Sequence, residues 1–473
     1  MSGERTPLTI PPDLDAEMTP AVRAFVKTLL ARIEALEDEV AELKRRLGQT
    51  PENSSRPPST EHPHAKTKSR KKPSGRKRGG QPGHERHQRS LVPPEQVTET
   101  VVLRPKRCRR CGGALGGDDP EPVRHQVFEL PEIQPIITEY QRHRLACPGC
   151  GVRTLAPLPV GVPTGQSGPR LVACAALLMA YFRQSRRRTA LFLETLLNLP
   201  SSSGHVVKLQ SLATDALRPC YDELQAALPE ADAVALDETA TKQANRKAWL
   251  WTAVAKDFTL FAVRDNRRAE VAKQLLGEDF AGVVTSDRYG GYDWIERRQL
   301  CWAHLKRDFQ SLVDAGGKAE SLGRKLLDLT GKLFHHWHRQ RDGTVTRATM
   351  RRRLRSLWWP VYEALEEGAL TLRGKLGGMC QHILDRSDHL WTFLEHPDVE
   401  PTNNASERAL RHAVIWRKTS FGTQSPAGSR FVETLLSVIE TCRQQQRDVF
   451  AFVTRAVQAQ FHRQPHETLL TSA

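Results

Sequence analysis

Two aspartates in this chain follow short apolar runs that read as buried strands. Asp237 follows Ala233–Leu236, and Asp287, 50 residues later, follows a strand that begins at Gly282. Both are placed at strand ends, where an open α/β sheet puts its sites. Two carboxylates there repel unless a hard cation shares them, and Mg²⁺ or Mn²⁺ takes such oxygen ligands. Two ions about 3.5–4 Å apart activate a nucleophile and stabilise a leaving oxygen in phosphodiester chemistry. That chemistry needs a third acid, and Glu407 is the candidate. The run Asn404-Ala-Ser-Glu407 also has capping-box spacing, in which Glu407 merely closes the first turn of a helix. Spacing leaves both readings open.

Four of the nine cysteines form two matching turns, Cys108-Arg-Arg-Cys111-Gly and Cys147-Pro-Gly-Cys150-Gly. Four thiolates bind Zn²⁺ tetrahedrally in closed, structural sites. Strands would fill the 35 residues between the turns. The rival reading is two separate redox pairs, although neither turn opens a helix in a βαβ setting. An odd cysteine count does not suit a disulfide framework, and a reducing compartment fits better. Cys174, Cys220, Cys380 and Cys442 are scattered and read as buried hydrophobes.

The surrounding chain must position these groups. It has 473 residues, 70 Lys plus Arg against 54 Asp plus Glu, and a net charge of +16. That length allows two to four domains, and the basic balance points toward nucleic acid. The longest apolar run, Leu171–Phe182, is 12 residues, short of the roughly 18–20 that a membrane span needs. The first ten residues contain no apolar stretch of the secretory kind, so a cytoplasmic protein is expected. Residues 66–89 hold ten Lys or Arg against one acid, with too little apolar surface to fold alone. They read as a basic arm that follows a phosphate backbone, or as a solvated linker.

Residues 20–48 carry a heptad: Val26, Ile33, Val40 and Leu47 in one row, Val22, Leu29, Leu36 and Leu43 in the other. This predicts a parallel two-stranded coiled coil and hence a homodimer. Residues 51–95 form a Pro/Ser/Gly-rich basic linker. Residues 96–160 read as a zinc-binding β module, with strands at Val97–Leu103 and Ile133–Leu145. Residues 167–229 are helical, and the pair joined at Leu199-Pro200-Ser201 reads either as a helix-turn-helix or as ordinary packing. Residues 231–290 switch to strands, with a hairpin turning at Lys256-Asp257, and residues 303–396 and 404–460 return to helix.

The segments VALDETATKQ, VVTSDRYGGY, LCWAHLKRDF and TNNASERALRHAVIWRKTSFGTQS resemble the transposases of the insertion sequence 66 family. The coiled coil, the NSSRPPST to RGGQPGH linker and the two-knuckle zinc module follow that family's order, so the resemblance covers about residues 20–450. It implies a DDE transposase, a multidomain α/β protein with an RNase H-like core. Asp237, Asp287 and Glu407 would then be the catalytic triad and the Mg²⁺ ligands, and Cys108, Cys111, Cys147 and Cys150 the zinc ligands. The catalytic domain would span 231–445, with a helical insertion at about 303–396, after a helical DNA-binding region at 167–229 and before a C-terminal tail at 446–473. The implied substrates are double-stranded DNA at the element ends and at the target, with accessory proteins of the same element as further partners, in a bacterial cytoplasm at the nucleoid. Cys301 and His304, in Cys301-Trp-Ala-His304, resemble a motif of several DDE groups. They read as metal ligands, as a lock on the insertion, or as a buried Cys with a hydrogen-bonded His. Lys71, Lys72, Arg76, Lys77 and Arg78 in the arm, and Arg408, Arg411, Arg417 and Lys418 near Glu407, are the expected DNA contacts, with Lys306 and Arg307 near Asp287 as further cations. Trp358, Trp359 and Arg351–Arg353 read either as a DNA-end contact or as a core tryptophan pair. Two rival functions fit the same features: a repurposed, non-catalytic DNA-binding protein, and an RNase H-like nuclease that cuts without joining.

Overall fold

The structure, a computed structural model, describes residues 17–47 and 89–470. Lys71, Lys72, Arg76, Lys77 and Arg78 lie outside the described residues, as does most of the basic arm. The heptad segment is one helix, α1 (Pro20–Leu47). Of its apolar rows Val22, Leu29, Ile33, Leu36 and Val40 are exposed and Val26 is half-buried, while the side chains of Leu43 and Leu47 lie outside the described residues.

The chain divides into two compact units, residues 63–136 and the remainder. In the first, Val92 exchanges hydrogen bonds with the Gln126 side chain (2.9 and 3.0 Å). A lone antiparallel bridge, Arg107 with Ala114, closes the first cysteine turn. No strand forms at 97–103 or at 133–143. A strand needs a partner edge as well as β-formers, and Val101, Val102, Leu103 and Ile136 find neither a partner nor cover. Among the described residues of 89–160 the strands are β1 (Arg144–Ala146) and β2 (Arg153–Leu155), an antiparallel pair that belongs to the larger unit.

The larger unit continues with α2 (Pro169–Ala180), α3 (Arg186–Leu197) and α4 (Ser203–Ala227). Ser185 and Ser202 cap α3 and α4 through their hydroxyls. The sheet follows. Strands β3 (Ala233–Gln243), β4 (Arg246–Val254) and β5 (Thr259–Arg264) form an antiparallel meander. Ala244 and Asn245, with φ of 49° and 60°, turn β3 into β4, the left-handed pair that a two-residue hairpin requires. Helix α5 (Ala269–Leu276) then crosses to β6 (Val283–Ser286), which lies parallel to β3, and β7 (Arg298–Leu300) lies parallel to β6. The order is β5-β4-β3-β6-β7.

Beyond β7 come α6 (Trp302–Ala315), α7 (Gly317–Arg341), α8 (Arg347–Thr371), α9 (Gly374–Leu384) and the short α10 (Thr392–Glu395). They build a second core around Leu326, Leu333, Leu354 and Leu365 that also takes in Val283 and Leu300 of the sheet. Three helices complete the unit: α11 (Asn404–Ser420), α12 (Pro426–Gln444) and α13 (Val449–His462). The segment expected as a tail is structural, since Phe452, Val453, Val457 and Leu469 are buried in the main core.

Helix α12 covers the edge strand β5. The amides of Val263, Phe261 and Thr259 donate to Glu433 Oε2 (3.1 Å), Ser437 Oγ (2.8 Å) and Thr441 Oγ1 (3.1 Å). Four helical residues rise about 6 Å and two strand residues about 6.8 Å, so the two ladders stay in step. An edge that would otherwise template aggregation is thereby satisfied.

Candidate active site

Asp237 stands in the middle of β3, not at its end as expected. Antiparallel pairing with β4 continues past it, with Asp237 opposite Thr252, and carries the strand on to Gln243. The parallel neighbour stops earlier: β6 pairs Ala233, Val234 and Ala235 with Val283, Val284 and Thr285. Asp237 and Asp287 each lie two residues beyond the last paired positions, Ala235 and Thr285, with Asp287 just past the end of β6, and the Asp287 charge is felt at Asp237. Asp237 Oδ1 accepts from the Glu238 amide (2.8 Å), and Asp287 Oδ1 from the Tyr289 amide (2.9 Å).

Arg298, which sequence reasoning missed, holds the Asp287 loop. It is 1% exposed. Its guanidinium donates to the carbonyls of Asp287 (2.5 Å) and Tyr289 (3.1 Å), to Ser286 Oγ (2.9 Å) and to Asp293 Oδ1 (2.9 Å). Asp293 also takes a two-point bond from Arg386 (3.0 and 2.6 Å). Nothing in the run Glu296-Arg297-Arg298 separates the buried arginine from its exposed neighbour before the β6–β7 pairing is known.

Glu407 arrives on the first turn of α11. The N-cap is Asn403, which makes no side-chain capping bond, and Glu407 lies beyond the N3 position. The capping-box reading therefore does not hold. Asn403 instead clamps the helix: its Nδ2 donates to the Leu236 carbonyl (2.9 Å), one residue before Asp237, and its amide donates to Cys301 Sγ (3.1 Å). The Cys301 amide donates to the Ser286 carbonyl (2.9 Å), one residue before Asp287. Cys301 thus ties β6, α6 and α11 together. Burial pushes its thiol up to about 11, so it stays protonated. His304 Nδ1 lies 3.7 Å from Glu407 Oε1 and has no hydrogen-bond partner. Burial and the Arg307 cation hold the His304 pKa below its usual value.

The acids act on one another. Burial raises the Asp237 carboxyl well above the usual range, and the charges of Glu238, Asp287 and Glu407 push the same way. Burial also carries Glu238 up to about 7, against the pull of its bond from Tyr292. Among the described residues, no group of three or more His, Cys, Asp or Glu is arranged to hold a metal ion. The three acids share one field without meeting at a common centre.

The cations near Glu407 divide. Arg408, Arg411 and Lys418 are exposed. Arg417 turns back onto β3, donating to Thr239 Oγ1 (3.0 Å) and to the Ala240 carbonyl. Lys306 is exposed and Arg307 half-buried. Gly422 packs on the tip of β3, where an added Cβ would meet the Lys242 carbonyl at 2.4 Å.

Each cysteine turn is a formed knuckle. Gly112 and Gly151 donate to the carbonyls of Cys108 (2.9 Å) and Cys147 (2.8 Å), at φ of +75° and +74°, which favour glycine. The amides of Cys111 and Arg110 hold the Cys108 thiol below its usual pKa, and those of Cys150 and Gly149 do so for Cys147. Thiols drawn toward thiolate are what a metal ligand requires.

Comparison with known proteins adds to this geometry. Residues 105–151 match the zinc-finger binding domain of transposase IS66, and residues 9–90 match a family of unknown function. Two relatives from Sinorhizobium fredii (strain NBRC 101917 / NGR234) span most of the chain. The uncharacterized protein y4hP is 27% identical over 394 residues, 74% of this chain and 70% of its own. The uncharacterized protein y4qI is 24% identical over 399 residues, 74% and 69%. A third, y4jO, is 28% identical over 171 residues, 36% and 49%. The IS66 transposase family itself matches residues 164–430, more than half of the chain and both clamped acid strands with the helix of Glu407, so this protein belongs to the IS66 transposase family and carries that family's zinc-binding domain.

Proposed function

We propose that this protein binds the terminal inverted repeats of its own insertion sequence and transfers those ends to new DNA on an RNase H-like core. The observation that supports the reading is the parallel β3–β6 pairing two residues before Asp237 and Asp287, together with the Asn403 and Cys301 bonds that tie the helix of Glu407 to the residues preceding both. An antiparallel three-strand meander joined to two parallel strands supports the core assignment, with α6 to α10 as its helical insertion. An all-oxygen donor set in one shared negative field fits Mg²⁺ or Mn²⁺. Asp237, Asp287 and Glu407 are the residues that would hold two such ions, which when bound supply Lewis-acid activation of water and of the leaving oxygen.

Cleavage breaks one phosphodiester bond by attack of water and leaves a 3′-hydroxyl at the element end. That hydroxyl attacks a target phosphodiester in line, forming one ester as another breaks, so no nucleotide is consumed. Arg298 keeps the Asp287 loop from drifting, and the Asn403–Cys301 clamp does the same for Glu407. Arg408 and Arg411 face solvent within about a turn of Glu407 and Lys418 near the far end of the same helix, and all three suit flanking phosphates, with the arm at 66–89 adding sequence-independent attraction. Cys108, Cys111, Cys147 and Cys150 are the thiolates that would hold one structural Zn²⁺. The heptad rows of α1 pair two copies, so that two ends are held together. The protein works in the bacterial cytoplasm at the nucleoid, and no described helix is long and apolar enough to cross a membrane.

A strand-transfer assay with an end-bearing duplex and Mg²⁺ tests the proposal, with wild type beside Glu407→Gln. Joined product from wild type alone is expected. Product from both would move the third ligand elsewhere. Cutting without joining would make the protein a nuclease, and tight end binding with no cutting would make it a DNA-binding protein only.

A further inference from the structure

Helix α8 of the insertion buries Met350, Leu354, Val361, Ala364, Leu365 and Gly368. The opposite stripe is bare and centres on Trp359, 57% exposed, with Trp358 beside it at 42%. Neither is a core tryptophan. Trp359 stacks on Tyr362 (5.5 Å, 12°) and donates from Nε1 to Glu363 (2.6 Å).

The charges on this stripe are ordered about Trp359. Arg355 and Glu363 stand four residues to either side of it, Arg352 and Glu366 seven, and Arg351 and Glu367 eight. Offsets of four, seven and eight all return to one helical face. On this stripe the three arginines at offsets four, seven and eight each have a glutamate at the same distance on the C-terminal side, while Arg353, at offset six, lies off it. Two such helices laid antiparallel about a two-fold axis through Trp359 put arginine against glutamate at all three positions, in both directions. That is the self-complementarity of an isologous contact. Arg351, half-buried, and Arg355, exposed, meet Glu395 in their own chain (2.5 and 3.3 Å), and the Arg355 pair, open to solvent, exchanges at little cost. Arg352, Glu366 and Glu367 have no ion pair among the described residues.

We infer that the outer face of α8 is a docking surface for the same face of a second copy of this chain, with Trp359 on the axis. Tryptophan with flanking arginine is the composition of interface hot spots. A nucleic acid is the weaker occupant, because Glu363, Glu366 and Glu367 would face its phosphates. One helix stripe is smaller than the roughly 800 Å² per partner of a stable pair. The contact therefore forms between copies that another tether keeps close, and cross-linking reports it better than mass.

The test uses the full chain with Ser356→Cys, on the same face, as reporter. A link from residue 356 to residue 356 is necessarily between copies. The two cysteines would lie about 9 Å apart along the helix axis, within reach of a short bis-maleimide, and the linked peptide is identified by mass spectrometry. Arg352→Glu with Arg355→Glu makes the four inner positions (352, 355, 363 and 366) all acidic, and Glu363→Arg with Glu366→Arg makes them all basic. Each pair alone is expected to lower the link yield about fivefold or more, as a loss near 1 kcal/mol would. Co-expression of the two charge variants restores every pairing and is expected to restore the link. No 356–356 link in the parent, equal yield in the charge variants, or no rescue on co-expression overturns the proposal. Loss of end binding in the acidic variant, without any link in the parent, would make nucleic acid the occupant.

Discussion

Val234, Leu236, Leu250 and Val284 of the five-stranded sheet are no more than 2% exposed, whereas Val101, Leu103, Val123 and Ile136 in the cysteine-bearing region are 67%, 87%, 98% and 98% exposed. Both stretches are rich in β-formers. The sheet buries its apolar groups between helices and satisfies even its edge amides from α12. The cysteine region has two knuckles with amide-polarised thiols and little else. Fold stability in the first comes from area removed from water. In the second, few residues are buried against the entropy of ordering the chain, and the proposed zinc would supply the stability that burial does not. The two regions should therefore fail under different treatments.

Metal removal should show the widest difference. Structural zinc sites contribute about 10–16 kcal/mol to folding of small domains. Stripping zinc with a chelator, or Cys147→Ser, should abolish hydrogen-exchange protection across 105–151 while β3–β7 and α12 keep theirs. Elemental analysis should find about one Zn²⁺ per chain, the content of one four-thiolate site. Equal loss in both regions, or a metal-free wild type, would remove the distinction. Next in size is Asp287→Asn. It should lower strand cleavage about 10³-fold, as the loss of about 4 kcal/mol of charge stabilisation requires, and leave end binding intact. Unfolding should shift the other way, because the substitution removes a like charge beside Asp237. A rise in Tm of about 2–4 °C is expected for each 1 kcal/mol of repulsion relieved. A fall in Tm would make Asp287 a structural residue.

The contrast also explains what was legible in the sequence. Ala233–Leu236, the hairpin at Lys256-Asp257 and the strand ending at Ser286 were readable because apolar runs end at turn residues. The helices at 303–396 were readable from their Leu-rich faces. The CxxC turns were readable because glycine after the second cysteine has a local reason. Strand β7 was missed: Arg298-Gln-Leu300 is short and polar and becomes a strand only by pairing with β6. The reverse error came at 97–103, where propensity was present and a partner strand was not. Asp237 was misplaced at a strand end because the Thr-rich continuation to Gln243 is held by β4 rather than by apolar burial. Glu407 could not be separated from a cap by spacing, since the deciding contact is Asn403 on the Leu236 carbonyl, 167 residues away. The glutamate, serine and threonine of α12 look like ordinary surface positions until the edge of β5 lies against them.

That edge gives a smaller test within the well-packed region. Glu433, whose side chain is 9% exposed, accepts from the Val263 amide and pairs with Arg218 at 3.1 Å and Arg264 at 3.6 Å. Glu433→Ala should cost about 2–3 kcal/mol in denaturant unfolding, because it strands a buried amide donor and takes a carboxylate from Arg264, while Arg218 keeps Asp222 at 2.8 Å. Ser437→Ala, which removes one neutral acceptor, should cost about 1 kcal/mol. Comparable values for the two would mean that Glu433 does no more than close the ladder.

The smallest expected effect is a pH effect at Asp293. Burial alone would raise its carboxyl, but the hydrogen bond and charge of Arg386, reinforced by Arg298, outweigh burial and hold it below its usual value. A carboxylate lowered in the folded state contributes stability above its unfolded pKa, and that stability is lost as pH falls through the folded value. Acid should therefore loosen the Asp287 loop, and Asp293→Asn should remove that part of the acid dependence. Asp293 is 36% exposed, so solvent screening keeps the effect under about 1 kcal/mol. Urea unfolding of wild type and Asp293→Asn between about pH 3 and 7, spanning the carboxylate range, should show curves that converge at the acid end. Curves that stay parallel would mean that Arg298 holds the loop through the carbonyls of Asp287 and Tyr289 alone.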